Sequence, residues 1–346
     1  MPTPRAHGGA AATLIPFVKP AFKGLNTQIA SGLLGVEWAT ILEDTVFDDV
    51  GRLSSRPGYT IETLEELSED IVQLFTYERD NGNDFVISST AYNLYVGTGN
   101  IQDATGTLTP TAGNWQFVNF RDSCVGVQQG HTPIIYSGGT EFVEIEKKVG
   151  TTTELPKGNA ALSAFGRLWI VDEDLQTIRY SNLLDETDWE PGSSRAGLID
   201  MTAVWPHGTD TVVALAEHNG RLLVFGEKQI VIWDDPQGTA LGMDVDSIQV
   251  VDTYNEVGCI ARDSVQTVNG DLWWLSNGGI VSLARLIQER SAPSVPVSAN
   301  VRDFLLSFTD VDSLPTVRSV VSLRDRYYLI SFPTYGKTFW RLDSGT

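Results

Sequence analysis

One pattern constrains this chain more than any other: an apolar strand, a short polar turn, and a second apolar strand. "NGRLLVFGEKQIVIWDDP", residues 219–236, shows it plainly, with Leu222–Phe225 and Ile230–Trp233 on either side of Gly226, Glu227 and Lys228. Similar pieces occur at 84–98, 132–146, 166–182, 270–285 and 325–342. Their first apolar residues are Phe85, Ile134, Leu168, Leu222, Leu272 and Tyr327, spaced 34 to 55 residues apart. Further strand candidates precede several of them: "DIVQLFTY", "TVVALAEH", "DSVQTVNG" and "RSVVSLRD". One lone meander cannot bury both of its faces, whereas meanders arranged radially bury each against the next and leave few open edges. Four-stranded units at this period predict an all-β fold, a six-bladed β-propeller over residues 71–346.

Two irregularities qualify the repeat. The short step between the second and third copies suggests a reduced blade. The sixth copy lies close to residue 346, so either its outermost strand is expected from elsewhere, the N-terminal region being one source, or the chain is a truncated version of something longer.

Residues 1–70 fall outside the repeat and read as an extended arm that contacts the propeller or a neighbouring subunit. Prolines at 16, 20 and 57 and glycines at 24, 32, 35, 51 and 58 oppose a long helix. "IETLEELSED" at 61–70 has room for a helical turn or two.

Composition narrows the function classes. The chain has 24 basic and 44 acidic side chains, a formal charge of −20. Affinity for nucleic acid comes mainly from Lys and Arg displacing counterions, so tight binding of DNA is disfavoured. No apolar run approaches the ~18 residues of a membrane helix, and Pro16 interrupts the short run near the start, so neither membrane insertion nor a secretory signal is expected. Cys124 and Cys259 read as two buried thiols.

Chemical motifs are sparse. His7, His131, His207 and His218 lack metal-ligand spacing. "VGTGNIQ" lacks the third glycine of a dinucleotide loop. "DED" at 172–174 and "DVD" at 244–246 lack the remaining ligands of a calcium loop and read as turns. No catalytic residue, metal site or cofactor is predicted, and the chain is read as a non-enzyme. The alternative is a glycan-binding or glycan-hydrolysing propeller, in which paired carboxylates act on the glycosidic bond and Trp169, Trp189, Trp205, Trp233, Trp273, Trp274 or Trp340 stack on sugars. "SNLLDETDW" at 181–189 departs from the sialidase-type turn in spacing and lacks its glycine.

"FKGLNTQIA" followed by "TILEDTVFDDVGRLSSRPGY" resembles the N-terminal signature of the tail nozzle proteins of short-tailed bacteriophages, also described as packaged-DNA stabilisation proteins or tail tubular proteins of the second kind. The "GRL" strands at 166–168 and 220–222 are similar too, and the likeness runs over roughly residues 20–345. Its most telling residues are Gly24, Asn26, Gly51, Arg56 and Gly58. The resemblance implies a structural virion protein of the tail, assembled in the host cytoplasm as a ring, a homohexamer. The ring would attach to the head-to-tail connector or adaptor, with tail fibres or a tail-tip protein as further partners. It would retain packaged DNA and let it pass without gripping it. An acidic lining suits such a channel, and Glu43, Asp44, Asp48 and Asp49 are the candidates for it. Nozzle proteins often carry a further tip region after the repeats, and this sequence shows none.

Overall fold

The computed structural model describes residues 22–47, 52–56, 58–61, 66–110, 114–235, 243–289, 295–323 and 327–342. Six small antiparallel sheets follow one another along the chain, each with its strands in sequence order. Blade 1 is Gln73–Tyr77, Phe85–Ser89, Leu94–Val96 and Gln102–Asp103, and blade 2 is Gln116–Phe120, Ser123–Val127, Ile134–Tyr136 and Val143–Glu144. Blade 3 is Ala160–Ala164, Arg167–Val171, Thr177–Tyr180 and Gly197–Asp200, and blade 4 is Val212–His218, Arg221–Gly226, Gln229–Asp234 and Gln249–Asn255. Blade 5 has three strands, Gln266–Val268, Asp271–Ser276 and Gly279–Ser282. Blade 6 also has three, Arg318–Ser322, Tyr327–Phe332 and Lys337–Leu342. The chain is a six-bladed β-propeller, with the first strand of each blade innermost.

The alternation of side chains along a strand explains why the central hairpins are apolar at every position. In blade 4, Leu222 and Val224 join Trp169, Val171 and Ile178 of blade 3 in one buried cluster. Their neighbours Leu223 and Phe225 point the other way, into a cluster with Leu272 and Trp274 of blade 5. Blade 5 repeats the division, sending Trp273 and Leu275 to Tyr328, Ile330 and Phe332 of blade 6. Blades 2 and 3 share Val125, Val127, Leu168 and Ile170. Blades 1 and 2 share Ile87, Leu94, Phe117 and Ile134. Five seams of the disc are therefore apolar.

The sixth seam, between blades 6 and 1, is different. Among the described residues no buried apolar cluster spans it, and Leu74 of blade 1 and Val320 of blade 6 remain 60% and 52% exposed. Polar contacts close the ring here, at the hub.

The second blade corrects the sequence phase. The copy read at 132–146 is the third and fourth strand of blade 2, and its second strand is Ser123–Val127. That strand holds Gly126 and Cys124 and too little hydrophobic bulk to register as a strand. Gly126 is needed because a Cβ there would stand 2.8 Å from the Phe117 ring and 2.9 Å from Ile134. Once Cys124 is aligned with Phe85 and Leu168 the spacing evens out, and the reduced blades are 5 and 6.

The edge of blade 5 is closed by the chain that follows it. Val297 N–H donates to Ile280 O at 2.7 Å, and Ile280 N–H donates to Ser298 Oγ at 2.9 Å. The short helix Leu283–Gln288 is capped by Ser282 and buries Leu283 and Leu286 against this blade. The outer strand of blade 6, Lys337–Leu342, pairs with Tyr327–Phe332 on one side only among the described residues. The described part of the arm adds no strand to it.

The arm docks beside blade 6 instead. Gly24 and Leu25 pair in parallel with Trp38 and Ala39, and Thr45–Phe47 pairs with Leu53–Ser55 as a separate hairpin. Thr27 N–H donates to Asn300 O at 2.9 Å, in the segment joining blades 5 and 6. The Gln28 amide pairs with Asp303, accepting from its backbone N–H at 2.9 Å and donating to its carboxylate at 3.2 Å. Of the 61–70 stretch, residues 62–65 lie outside the described residues and the rest is not helical.

Candidate functional site

The inner strands run in the same direction in every blade, so their first residues converge at one end of the hub. Arg262 and Asp263 precede the inner strand of blade 5, and Arg318 begins that of blade 6. Arg262 donates through Nη2 to Trp115 O at 3.2 Å and through Nη1 to Asn114 O at 3.4 Å, both at the start of blade 2. The same Nη1 donates to Asn159 O at the start of blade 3. Blade 5 stands opposite blade 2 in a ring of six, so this side chain crosses the axis.

Arg318 makes the complementary span. Its Nε donates to Val72 O at 3.2 Å and its Nη2 to Asn114 Oδ1 at 2.8 Å, tying the last blade to the first and second. Asp263 sits between the two guanidiniums, 2.8 Å from Arg262 and 3.2 Å from Arg318. Burial lowers the Arg318 pKa and Asp263 draws it back up. A guanidinium stays protonated under such pressure. Each guanidinium nitrogen of the two arginines donates to a carbonyl or carboxylate oxygen. The cluster therefore fastens the ring and fills the axis at this end.

Other polar groups also brace the scaffold. Asp210 accepts from the amides of Glu227, Lys228 and Gln229 at 3.0, 2.9 and 3.0 Å, holding the tight turn of the blade 4 hairpin. Asp188, fully buried, accepts from Arg195 at 2.8 Å, Lys148 at 3.2 Å and Asn182 at 3.1 Å. Burial pushes its pKa up, but these donors and the Glu190 N–H outweigh burial and hold it at about 2.

The Asp-rich motifs are turns, as expected. Asp174 accepts from the amides of Gln176 and Thr177, and Asp244 from that of Asp246. Among the described residues no three His, Cys, Asp or Glu side chains group as metal ligands. Cys124 and Cys259 are free and buried, with the Cys259 thiol pushed up to about 12 by burial. Trp169, Trp189, Trp205, Trp233, Trp273 and Trp274 are all buried, packing the blades rather than presenting a ring to a sugar. The side chain of Trp340 lies outside the described residues. No helix is long and apolar enough to cross a membrane among the described residues.

The arm residues singled out in the sequence have local roles. Gly24 has φ +118°, which a side chain rarely adopts and which lets the arm turn into its parallel pairing. Asn26 is buried, and its Oδ1 accepts from the amides of Gln28 and Ile29 at 3.0 and 3.2 Å, shaping the bend that presents Thr27 and Gln28 to the propeller. Arg56 pairs with Asp44 at 3.3 Å across the base of the hairpin. Gly58 has open space around it, and Gly51 lies outside the described residues. Of the acidic candidates, Glu43 and Asp44 are exposed, and Asp48 and Asp49 lie outside the described residues. Sequence reading missed the Arg262, Asp263 and Arg318 cluster; its one signal is the placement of charge directly ahead of an inner strand.

These features define the class, a six-bladed β-propeller whose hub is crossed at one end by the side chains of Arg262 and Arg318. No family model matches the chain, and no curated protein matches it. Solved structures similar to it include the extracellular domain of a hybrid two-component system from B. thetaiotaomicron, at 14% identity and TM-score 0.41, covering 64% of this chain and 29% of that one. Hsv2 of Kluyveromyces lactis is similar at 13% identity and TM-score 0.41, covering 80% of this chain and 98% of that one. YCF48 bound to D1 peptide is similar at 12% identity and TM-score 0.40, covering 83% and 85%. The chain thus spans less than a third of the first of these proteins.

Proposed function

We propose that the chain is a structural protein of a phage virion, the subunit of a tail nozzle ring that binds the head-to-tail connector, retains packaged DNA and lets it exit. The observation that carries this reading is the arm. Its resemblance-bearing residues Gly24, Asn26, Arg56 and Gly58 build a segment that is fastened to the propeller at Thr27 and Gln28 but leaves Leu33, Val36, Ile41, Tyr59 and Ile61 exposed. A short hairpin with no core of its own is marginal in water and gains from a partner surface.

Charge supports the same reading. A formal −20 per copy, repeated around a ring, disfavours adhesion of a phosphate backbone to the wall. With the hub crossed by Arg262 and Arg318, a channel would lie between copies. Electron imaging of the intact particle tests this: several copies of the chain around the tail axis below the connector are expected. A particle that lacks the chain at that position would overturn the reading.

A further inference from the structure

Two blade faces in the disc are only partly covered, and they look at each other. In blade 1, Phe75, Tyr77, Ile87, Leu94 and Val96 turn toward blade 2 and join its apolar cluster. Strand alternation therefore sends Leu74, Thr76, Val86, Ser88 and Tyr95 the other way, toward blade 6. Of these five only Ser88 is buried, at 3% exposure. In blade 6, Tyr328, Ile330 and Phe332 turn toward blade 5 and are at most 1% exposed. Their neighbours Tyr327, Leu329 and Ser331 face blade 1 and are all half-buried.

The seam between these faces is fastened at one end and hollow at the other. Where the inner strands begin, Arg318 reaches Val72 O and Asn114 Oδ1. At the opposite end, beyond Tyr77, a recess of about 300 Å³ lies against blade 1, lined by Thr76, Asp84, Val86, Gly97 and Thr98. Blades 1 and 6 share no strand, and among the described residues no backbone hydrogen bond joins them. Parting any other two blades brings a buried apolar cluster into water. Parting these two exposes mainly side chains that water already reaches.

We infer that the disc opens at the blade 6–blade 1 seam while its six sheets stay intact, with Arg318 as the latch. Release costs the bonds of one guanidinium, whereas every other seam must also give up its apolar burial. Arg262, which spans from blade 5 to blades 2 and 3, keeps the hub together as the two lips part. The step uncovers little new surface, so it responds weakly to urea, unlike unfolding of the chain. It goes beyond the nozzle reading and does not depend on it.

Thiol labelling of the full chain tests it at two neighbouring positions of one strand. Ser88 faces the blade 6–blade 1 seam, and Ser89, 0% exposed, faces blade 2. Ser88→Cys and Ser89→Cys are made separately, and the modified peptides are followed by mass in native buffer. Position 88 is expected to react at least about tenfold faster than position 89. Its rate should change little in low urea, while that of position 89 climbs steeply. Adding Arg318→Met should speed position 88 about a hundredfold. Equal rates at the two positions, an equally steep urea dependence, or no acceleration by Arg318→Met would each overturn the inference. Should a variant fail to fold, deuterium uptake of the wild type decides, because inner strands that lose a neighbour fray. Amides of Gln73–Tyr77 and Arg318–Ser322 are then expected to exchange before those of Ala160–Ala164 and Val212–His218. Uniform exchange across the four strands would overturn it equally.

Discussion

Arg318 Nε donates to the carbonyl oxygen of Val72 at 3.2 Å, joining the last blade of the disc to the first. Five seams are held by buried apolar side chains and this one by a guanidinium, so ring closure rests on few groups. Arg318→Met should destabilise the propeller by about 3 kcal/mol, the loss expected when one member of a largely buried ion pair is removed. Urea unfolding measures it, and a change within error of zero would show that the ring closes without this bond.

Asp188 gives the fold a pH dependence of definite sign. Its pKa is held at about 2, below the ordinary 3.8. A carboxylate depressed in the folded state contributes stability above the unfolded pKa and loses it as pH falls through the folded one. Part of the stability should therefore disappear between pH ~4 and ~2. In Asp188→Asn that part of the decline should be missing, with a cost at neutral pH of about 1–3 kcal/mol. Unfolding curves at pH 7, 4 and 3 check both.

Asp210→Ala removes the acceptor of three turn amides in blade 4. The expected loss is about 2–3 kcal/mol, since buried N–H groups are left without partners. Asp210→Asn, which keeps one acceptor oxygen, should lose less. Thermal unfolding of the pair ranks them, and equal losses would mean that the turn does not depend on the carboxylate.

Neither thiol should react in the folded protein. Cys124 and Cys259 are both buried, and burial suppresses their thiolates. A thiol reagent should modify neither in native buffer and both in denaturant. Rapid labelling of Cys259 in native buffer would contradict the packing of blades 4 and 5.

Asn26→Ala should loosen the arm without harming the disc, because its Oδ1 bonds are local to the bend before Thr27 and Gln28. Proteolysis between residues 22 and 61 should accelerate several-fold while the main unfolding midpoint stays put. A fall in that midpoint would mean that the arm is part of the propeller's folding unit.

The sequence revealed the blades most clearly where both faces of a strand are buried. Leu222–Phe225 and Leu272–Leu275 are apolar at every position because consecutive residues enter different seams. Ser123–Val127 is buried just as deeply, but Gly126 and Cys124 satisfy close packing without hydrophobic bulk, so the pattern disappeared there and the phase slipped. The hub cluster was illegible for another reason. Arg262 and Asn114 are 148 residues apart, and nothing local marks them as neighbours until six inner strands converge. In the arm, Asn26 could be picked out by resemblance, but its work as an acceptor for two amides became visible only in the folded bend.

The guanidiniums at the hub have a mechanical consequence. A disc with its centre stopped by Arg262 and Arg318 is a brick and not a washer. In a ring of such discs, as proposed above, the passage would lie between copies, so its wall would be only as continuous as the contacts from disc to disc.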